Sequence, residues 1–135
     1  MIDRADDGFR LLTDAEREVL ETLLEPEFPG RDELRLQLAQ AAGRPLDHDG
    51  CVEFAPGNGP RAAVRFKIAS AGEYVDEQGR NVHVQLHVGD GRLTSLEIHM
   101  ADGSIPTGFP PARELRLYAP DSPEAGTWNR SPNYR

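Results

Sequence analysis

Apolar residues recur at three-and-four spacing over residues 13–42 and at spacing two over residues 51–118, which predicts helices followed by strands. Thr13 and Glu16 stand at the spacing where each side chain satisfies an orphan backbone amide at a helix start. Ala15, Val19, Leu20, Leu23 and Leu24 then form one apolar face, and Pro26 ends the pattern, so a helix is expected over 14–25. A second helix is expected over 32–42, after the stiff "EPEFPG" connection. Its stripe is Leu34, Leu38 and Ala41, with Gly43 and Pro45 as stop signals.

Period-two segments predict strands near 51–54, 62–68, 81–88, 92–100 and 114–118. "GNG" at 57–59 lacks the lysine and following helix of a phosphate loop and reads as a turn. "AGEYVDEQGR" reads as a connection with Tyr74 and Val75 available as strand residues. The expected fold class is α+β, with two N-terminal helices packed on one face of an antiparallel sheet of about five strands. Leu20, Leu24, Leu38, Phe66, Val84, Leu86, Leu96 and Ile98 are the expected core.

The stretch "NVHVQLHVGDGRLTSLEIHM" forms a hairpin whose register follows from what each turn would bury. A two-residue Asp90-Gly91 turn opposes Val88 to Leu93, Leu86 to Ser95 and Val84 to Glu97, which buries Glu97 and exposes Leu96, Ile98 and Met100, so that turn is rejected. A three-residue Gly89-Asp90-Gly91 loop instead opposes Val84 to Leu96 and Val82 to Ile98. In that register His83 lies opposite Glu97, Asn81 opposite His99 and Gln85 opposite Ser95.

These polar residues are the candidates for chemistry. His83 and His87, four apart on a strand, are roughly 13 Å from one another, too far to share a metal ion. His83 as a base oriented by Glu97 is the alternative catalytic reading, with Arg65, Lys67, His87 or His99 contributing charge. A two-His-one-carboxylate cluster of His83, Glu97 and His99 is weaker, so neither a metal nor a cofactor is expected. His48 stands three residues before Cys51, a spacing that establishes no nucleophile, and Cys51 reads as a buried strand residue.

The net charge of −8 changes the picture because it is unevenly placed: residues 1–50 hold 13 acidic and 6 basic groups. Such a surface repels phosphate backbones and anionic lipid, excluding nucleic acid and anionic membrane as expected partners. Asp14, Glu18, Glu21 and Glu25 fall on one face of the first helix, about opposite its apolar face. With Glu27 they are the expected contact with a basic protein partner. Homodimerisation through the sheet is a further possibility. One cysteine allows no intrachain disulfide, and the N-terminal residues lack a signal-peptide pattern, so a cytoplasmic protein is expected. The length suits one domain over 1–119, followed by a Pro/Ser-rich tail over 120–135 with Trp128 and Tyr134 as anchors.

"LTDAEREVLETLLEPEFPGRDELRLQLAQA", "GEYVDEQG" and "VHVQLHVGDGRLTSLEIHMADGS" together resemble a family of small uncharacterised bacterial proteins, mostly actinobacterial, that constitute a domain of unknown function. The resemblance spans residues 11–118 and implies no catalytic residue. In acidity, size and helix-then-sheet order the chain is also similar to toxin-immunity proteins. The expected function is therefore a non-enzymatic protein-interaction module. The alternative is a small enzyme or ligand-binding protein using the polar sheet face around His83 and Glu97.

Overall fold

The structure, a computed structural model, describes residues 8–46, 50–55 and 57–118, the last by its backbone. His48 and the segment 120–135, including Trp128 and Tyr134, lie outside the described residues.

The T-x-x-E signal forms the start of α1, Asp14–Leu23: Glu16 N donates to Thr13 Oγ1 at 3.1 Å, and Thr13 N donates to Glu16 Oε1 at 2.9 Å. Glu16 is only 5% exposed, and Arg10 forks onto both its oxygens at 2.7 and 2.8 Å. That bidentate pair gives the buried carboxylate its counter-charge and ties the short strand β1, Arg10–Leu11, to the helix start. The apolar face is Val19, Leu20, Leu23 and Leu24, while Ala15 is exposed.

The second helix, α2, spans Arg31–Leu38 and does not reach 42. Ala42–Pro45 form a strand, β2, between β1 and β3, Val52–Ala55. Gly43 acts through close approach rather than as a helix stop, since a Cβ there would lie 2.9 Å from Leu12 and 3.0 Å from Val52.

Period two over 62–68 likewise misled. The strand β4 begins at Ile68 and runs to Val75, so "AGEYV" is strand and 62–67 is not. Its pairing with β5, Asn81–Gly89, is set by the 76–80 turn, in which Asp76 accepts from Gln78 N, Arg80 N and Arg80 Nε at 2.9, 2.9 and 3.0 Å. With that place beside β5 filled, residues 62–67 run past the end of the β5 hairpin, where Ala62 N bonds Gly91 O and Val88 N bonds Lys67 O. Phe66 is accordingly 39% exposed, not core, and carries the Arg65 guanidinium over its ring. With β6, Arg92–Met100, and β7, Arg116–Tyr118, the antiparallel sheet has, among the described residues, seven strands in the order β1-β2-β3-β6-β5-β4-β7, not about five. The helices cover the face bearing Val82, Val84, Leu86, Leu96 and Ile98, all buried as expected along with Leu20, Leu24 and Leu38.

The β5–β6 register departs from expectation in an informative way. The turn is the two-residue one, with both central residues at positive φ, 52° at Asp90 and 74° at Gly91. Gly89 pairs with Arg92 and Val88 with Leu93, but His87 pairs with Ser95, so Thr94 is a bulged extra residue. The bulge shifts every later pair by one and returns Leu96 and Ile98 to the core side, now opposite Leu86 and Val84. A three-residue loop and a bulged two-residue turn thus bury the same side chains, which is why the facing was correct while each pairing was displaced by two residues.

Gln37 holds this irregular end in place. It lies on the buried stripe of α2 between Leu34 and Leu38 and is wholly buried. Its Nε2 donates to Pro60 O at 2.7 Å and Gly91 O at 2.8 Å, while its Oε1 accepts from Leu93 N at 2.8 Å. The side chain supplies the edge of β6 with partners beyond Glu53–Ser95, where the β3–β6 pairing ends. Replacing Gln37 by Leu strands Leu93 N–H and Pro60 C=O, and equilibrium denaturation is expected to show a loss of about 3 kcal/mol. Leu96→Ala, at a fully buried site, is expected to cost about 2–5 kcal/mol in the same experiment.

Candidate functional site

The sheet face away from the helices is built of cross-strand rows in which polar side chains predominate. Glu73, His83 and His99 lie abreast on β4, β5 and β6. The next row is Ala71, Gln85 and Glu97, and the third runs from Ile68 through His87, Ser95 and Glu53 to Arg44. His83 therefore faces His99, with ring centroids 5.5 Å apart, and not Glu97. Asn81 and Ser95 likewise do not face His99 and Gln85. Glu97 sits opposite Gln85 and accepts from Ser95 Oγ at 2.6 Å, while Gln85 Oε1 meets His87 Nε2 at 2.9 Å.

Two bulges produce this arrangement. Thr94 displaces β6 relative to β5, and Ala69 does the same on β4, between the pairs Ile68–His87 and Ser70–Leu86. The face is also drier than an open sheet face: Gln85 is 3% exposed, and its Nε2 has no partner among the described residues. Burial depresses the pKa of His83, with the Glu73 carboxylate acting the other way. His87 is depressed by burial and by Lys67, against an opposing contribution from Glu97. Both imidazoles are neutral at neutral pH. Arg65 and Lys67 are exposed on the 62–67 segment, outside the rows. Among the described residues no three His, Cys, Asp or Glu side chains group closely enough to hold a metal ion. Cys51 is buried at the core edge, its Sγ accepting from Ile98 N at 3.1 Å.

The acidic face of α1 is the second candidate. Glu18, Glu21 and Glu25 are exposed and form one wall of a groove of about 790 Å³. Its other wall is the segment after Pro111, a 3-10 turn over Ala112–Glu114 leading into β7, which contributes Arg113, Leu115 and Leu117. Glu21 and Glu25 also border a second groove of about 450 Å³ with Arg17, Arg35 and Leu38. Asp14 is exposed at the positive start of α1 and does not line either groove. Among the described residues none of Glu18, Glu21 and Glu25 forms an ion pair. The unfavourable end of the helix is offset by Arg31, whose Nη1 donates to Glu25 O at 2.9 Å.

The apolar half of the groove was not foreseen. Its signal is present in "FPPAREL", where two prolines set a turn that carries Leu115 and Leu117 back toward the helices. No family model, curated protein or solved structure matches this chain. No helix among the described residues is long and apolar enough to cross a membrane.

The depressed histidines fix a pH dependence. In the unfolded chain both return to about 6.5, so below that pH the unfolded state binds more protons than the folded one. Stability is full above about pH 6.5 and is lost as pH falls through the lower folded values. Differential scanning calorimetry is expected to show Tm falling between about pH 7.5 and about pH 5.5. The slope should be reduced in the His83→Gln/His87→Gln variant. An equal slope in that variant would contradict the assignment.

Proposed function

We propose that this protein is a non-enzymatic interaction module that captures a basic, amphipathic segment of a partner protein in the groove between α1 and the 111–117 segment. The observation that carries this reading is the composition of the two walls. Three carboxylates, Glu18, Glu21 and Glu25, line one side, and Pro111, Ala112, Leu115 and Leu117 line the other, with Arg113 as the one cation among them. A segment with lysine or arginine on one face and apolar residues on the next matches both walls at once, and the carboxylates accelerate its encounter.

Charges spaced three and four apart on a helix repel, at about 0.2–0.5 kcal/mol per pair. Helix stability therefore does not account for the stripe, whereas recognition of cations does. The polar sheet face supports catalysis less well. The pairing expected of a catalytic His83 is changed: His83 lies opposite His99 and Glu73 and not Glu97, and Glu97 is engaged by Ser95. The likeness to toxin-immunity proteins in acidity, size and helix-then-sheet order fits this reading as fold-level analogy, and the resemblance to a bacterial domain of unknown function brings no activity that competes with it.

Stopped-flow association with a synthetic lysine–leucine amphipathic peptide tests the proposal. Glu18→Gln/Glu21→Gln/Glu25→Gln is expected to fold normally and to associate at least about tenfold more slowly at low salt, with the salt dependence largely gone. A charge-matched control, Glu53→Gln/Glu73→Gln/Glu97→Gln on the sheet face, is expected to retain most of the rate. Equal slowing in both variants would show a response to net charge alone and overturn the assignment of the groove.

A further inference from the structure

Leu117 lines the groove beside α1, and β7 ends one residue later at Tyr118, so the chain leaves the described residues at the groove's edge. Residues 119–126, "APDSPEAG", hold Pro120, Pro123 and Gly126, the residue types that reverse a chain. Residues 127–135, "TWNRSPNYR", then combine Trp128 and Tyr134 with Arg130 and Arg135 and contain no acidic residue. The stretch 119–127 spans at most about 32 Å when fully extended. From Glu18 to Glu25, α1 advances only about 10 Å. Both ends of the carboxylate wall are therefore within reach of Trp128 and the residues after it.

The groove itself has the complementary chemistry. Glu18, Glu21 and Glu25 are exposed and form no ion pair among the described residues, and Arg113 is the one cation of the lining. On the opposite wall Pro111, Ala112, Leu115 and Leu117 are half-buried and present apolar surface. The polar sheet face is a poorer seat for two arginines, because Glu53 is paired with Arg44 at 2.9 Å and Glu97 accepts from Ser95 at 2.6 Å.

We propose, building on the reading of the groove given above, that residues 127–135 occupy it in the free protein as an internal ligand, which a partner's basic segment has to displace. Arg130 and Arg135 meet the three glutamates, while the rings of Trp128 and Tyr134 cover Leu115, Leu117 and Pro111. An indole face also suits the Arg113 guanidinium. Because ligand and groove belong to one chain, the effective concentration is on the order of millimolar, so individually weak contacts suffice to fill the site. A partner then binds with its affinity reduced by the fraction of molecules whose groove is open, and weakly basic segments are rejected.

Trp128 is the only tryptophan, so the fluorescence of the full chain reports its surroundings. Its emission is expected to be blue-shifted from that of N-acetyltryptophanamide, protected from acrylamide and unchanged on dilution. Glu18→Gln/Glu21→Gln/Glu25→Gln, Arg130→Gln/Arg135→Gln and a saturating lysine–leucine amphipathic peptide should each shift it to the red and remove the protection. Arg130→Lys/Arg135→Lys and the sheet-face variant Glu53→Gln/Glu73→Gln/Glu97→Gln should leave it as in the parent. Arg130→Gln/Arg135→Gln should also bind the peptide severalfold more tightly, since the competitor is weakened. A water-exposed Trp128 in the parent, an emission indifferent to the α1 variant, or release by the sheet-face variant would each overturn the internal ligand. Emission that changes on dilution would place the segment in the groove of a second copy and overturn it as well. In all these cases the groove reading itself survives if the peptide binds the parent and the α1 variant slows that binding, and it fails if the peptide binds neither the parent nor the Arg130/Arg135 variant.

Discussion

A single buried amide governs the layout of this fold. Gln37 replaces the missing neighbour of β6 beyond the last β3–β6 pair, Glu53–Ser95, accepting from Leu93 N as a strand would have and giving Gly91 O a second donor beside Ala62 N. It also binds Pro60, so one side chain joins the helix layer, the loop after β3 and the central hairpin. The lining around it admits little change. Gly91 is left-handed and lies so near Ala62 that a Cβ would meet its carbonyl oxygen at 2.9 Å, while a Cβ at Gly59 would press on Gln37 itself. Because buried donors and acceptors left unpaired are costly, this satisfied cluster favours one register of the hairpin over its neighbours.

From that register the two faces of the sheet acquire different roles. On one, Val82, Val84, Leu86, Leu96 and Ile98 receive the helices and form the core. On the other, neutral histidines alternate with carboxylates and a buried glutamine, an arrangement held by contacts within the face. Carboxylates without an ion pair among the described residues lie elsewhere, on α1 at Glu18, Glu21 and Glu25. Pro111 lines both the groove beside them and a second pocket with Tyr74 and Phe109. The acidic face of α1 therefore borders a groove completed by residues from the end of the described chain.

The sequence made some of this legible and concealed the rest for physical reasons. The helix start at Thr13 was readable because its chemistry is local, a reciprocal exchange over three residues. The buried face of the hairpin was readable because side chains alternate strictly, but its pairing was not: a bulge and a longer loop leave the same parity. Glycine misled at Gly43, where a close approach between strands looks the same in sequence as a helix stop. Phe66 misled because alternation over 62–68 carries no information on whether a neighbouring strand position is already taken. Gln37 could have been found as the one polar residue on the stripe Leu34, Leu38 and Ala41. The groove joins residues about ninety positions apart, and no local pattern announces such a meeting.

The central claim is that the Gln37-supported bulge sets the register, and with it the separation of His83 from Glu97. Cross-strand nuclear Overhauser contacts across the β5–β6 hairpin report that register directly. Contacts linking His83 with His99, Gln85 with Glu97 and Leu86 with Leu96 are the predicted result. Contacts linking His83 with Glu97 and Asn81 with His99 would contradict it, and would restore the His83–Glu97 pair expected from the sequence.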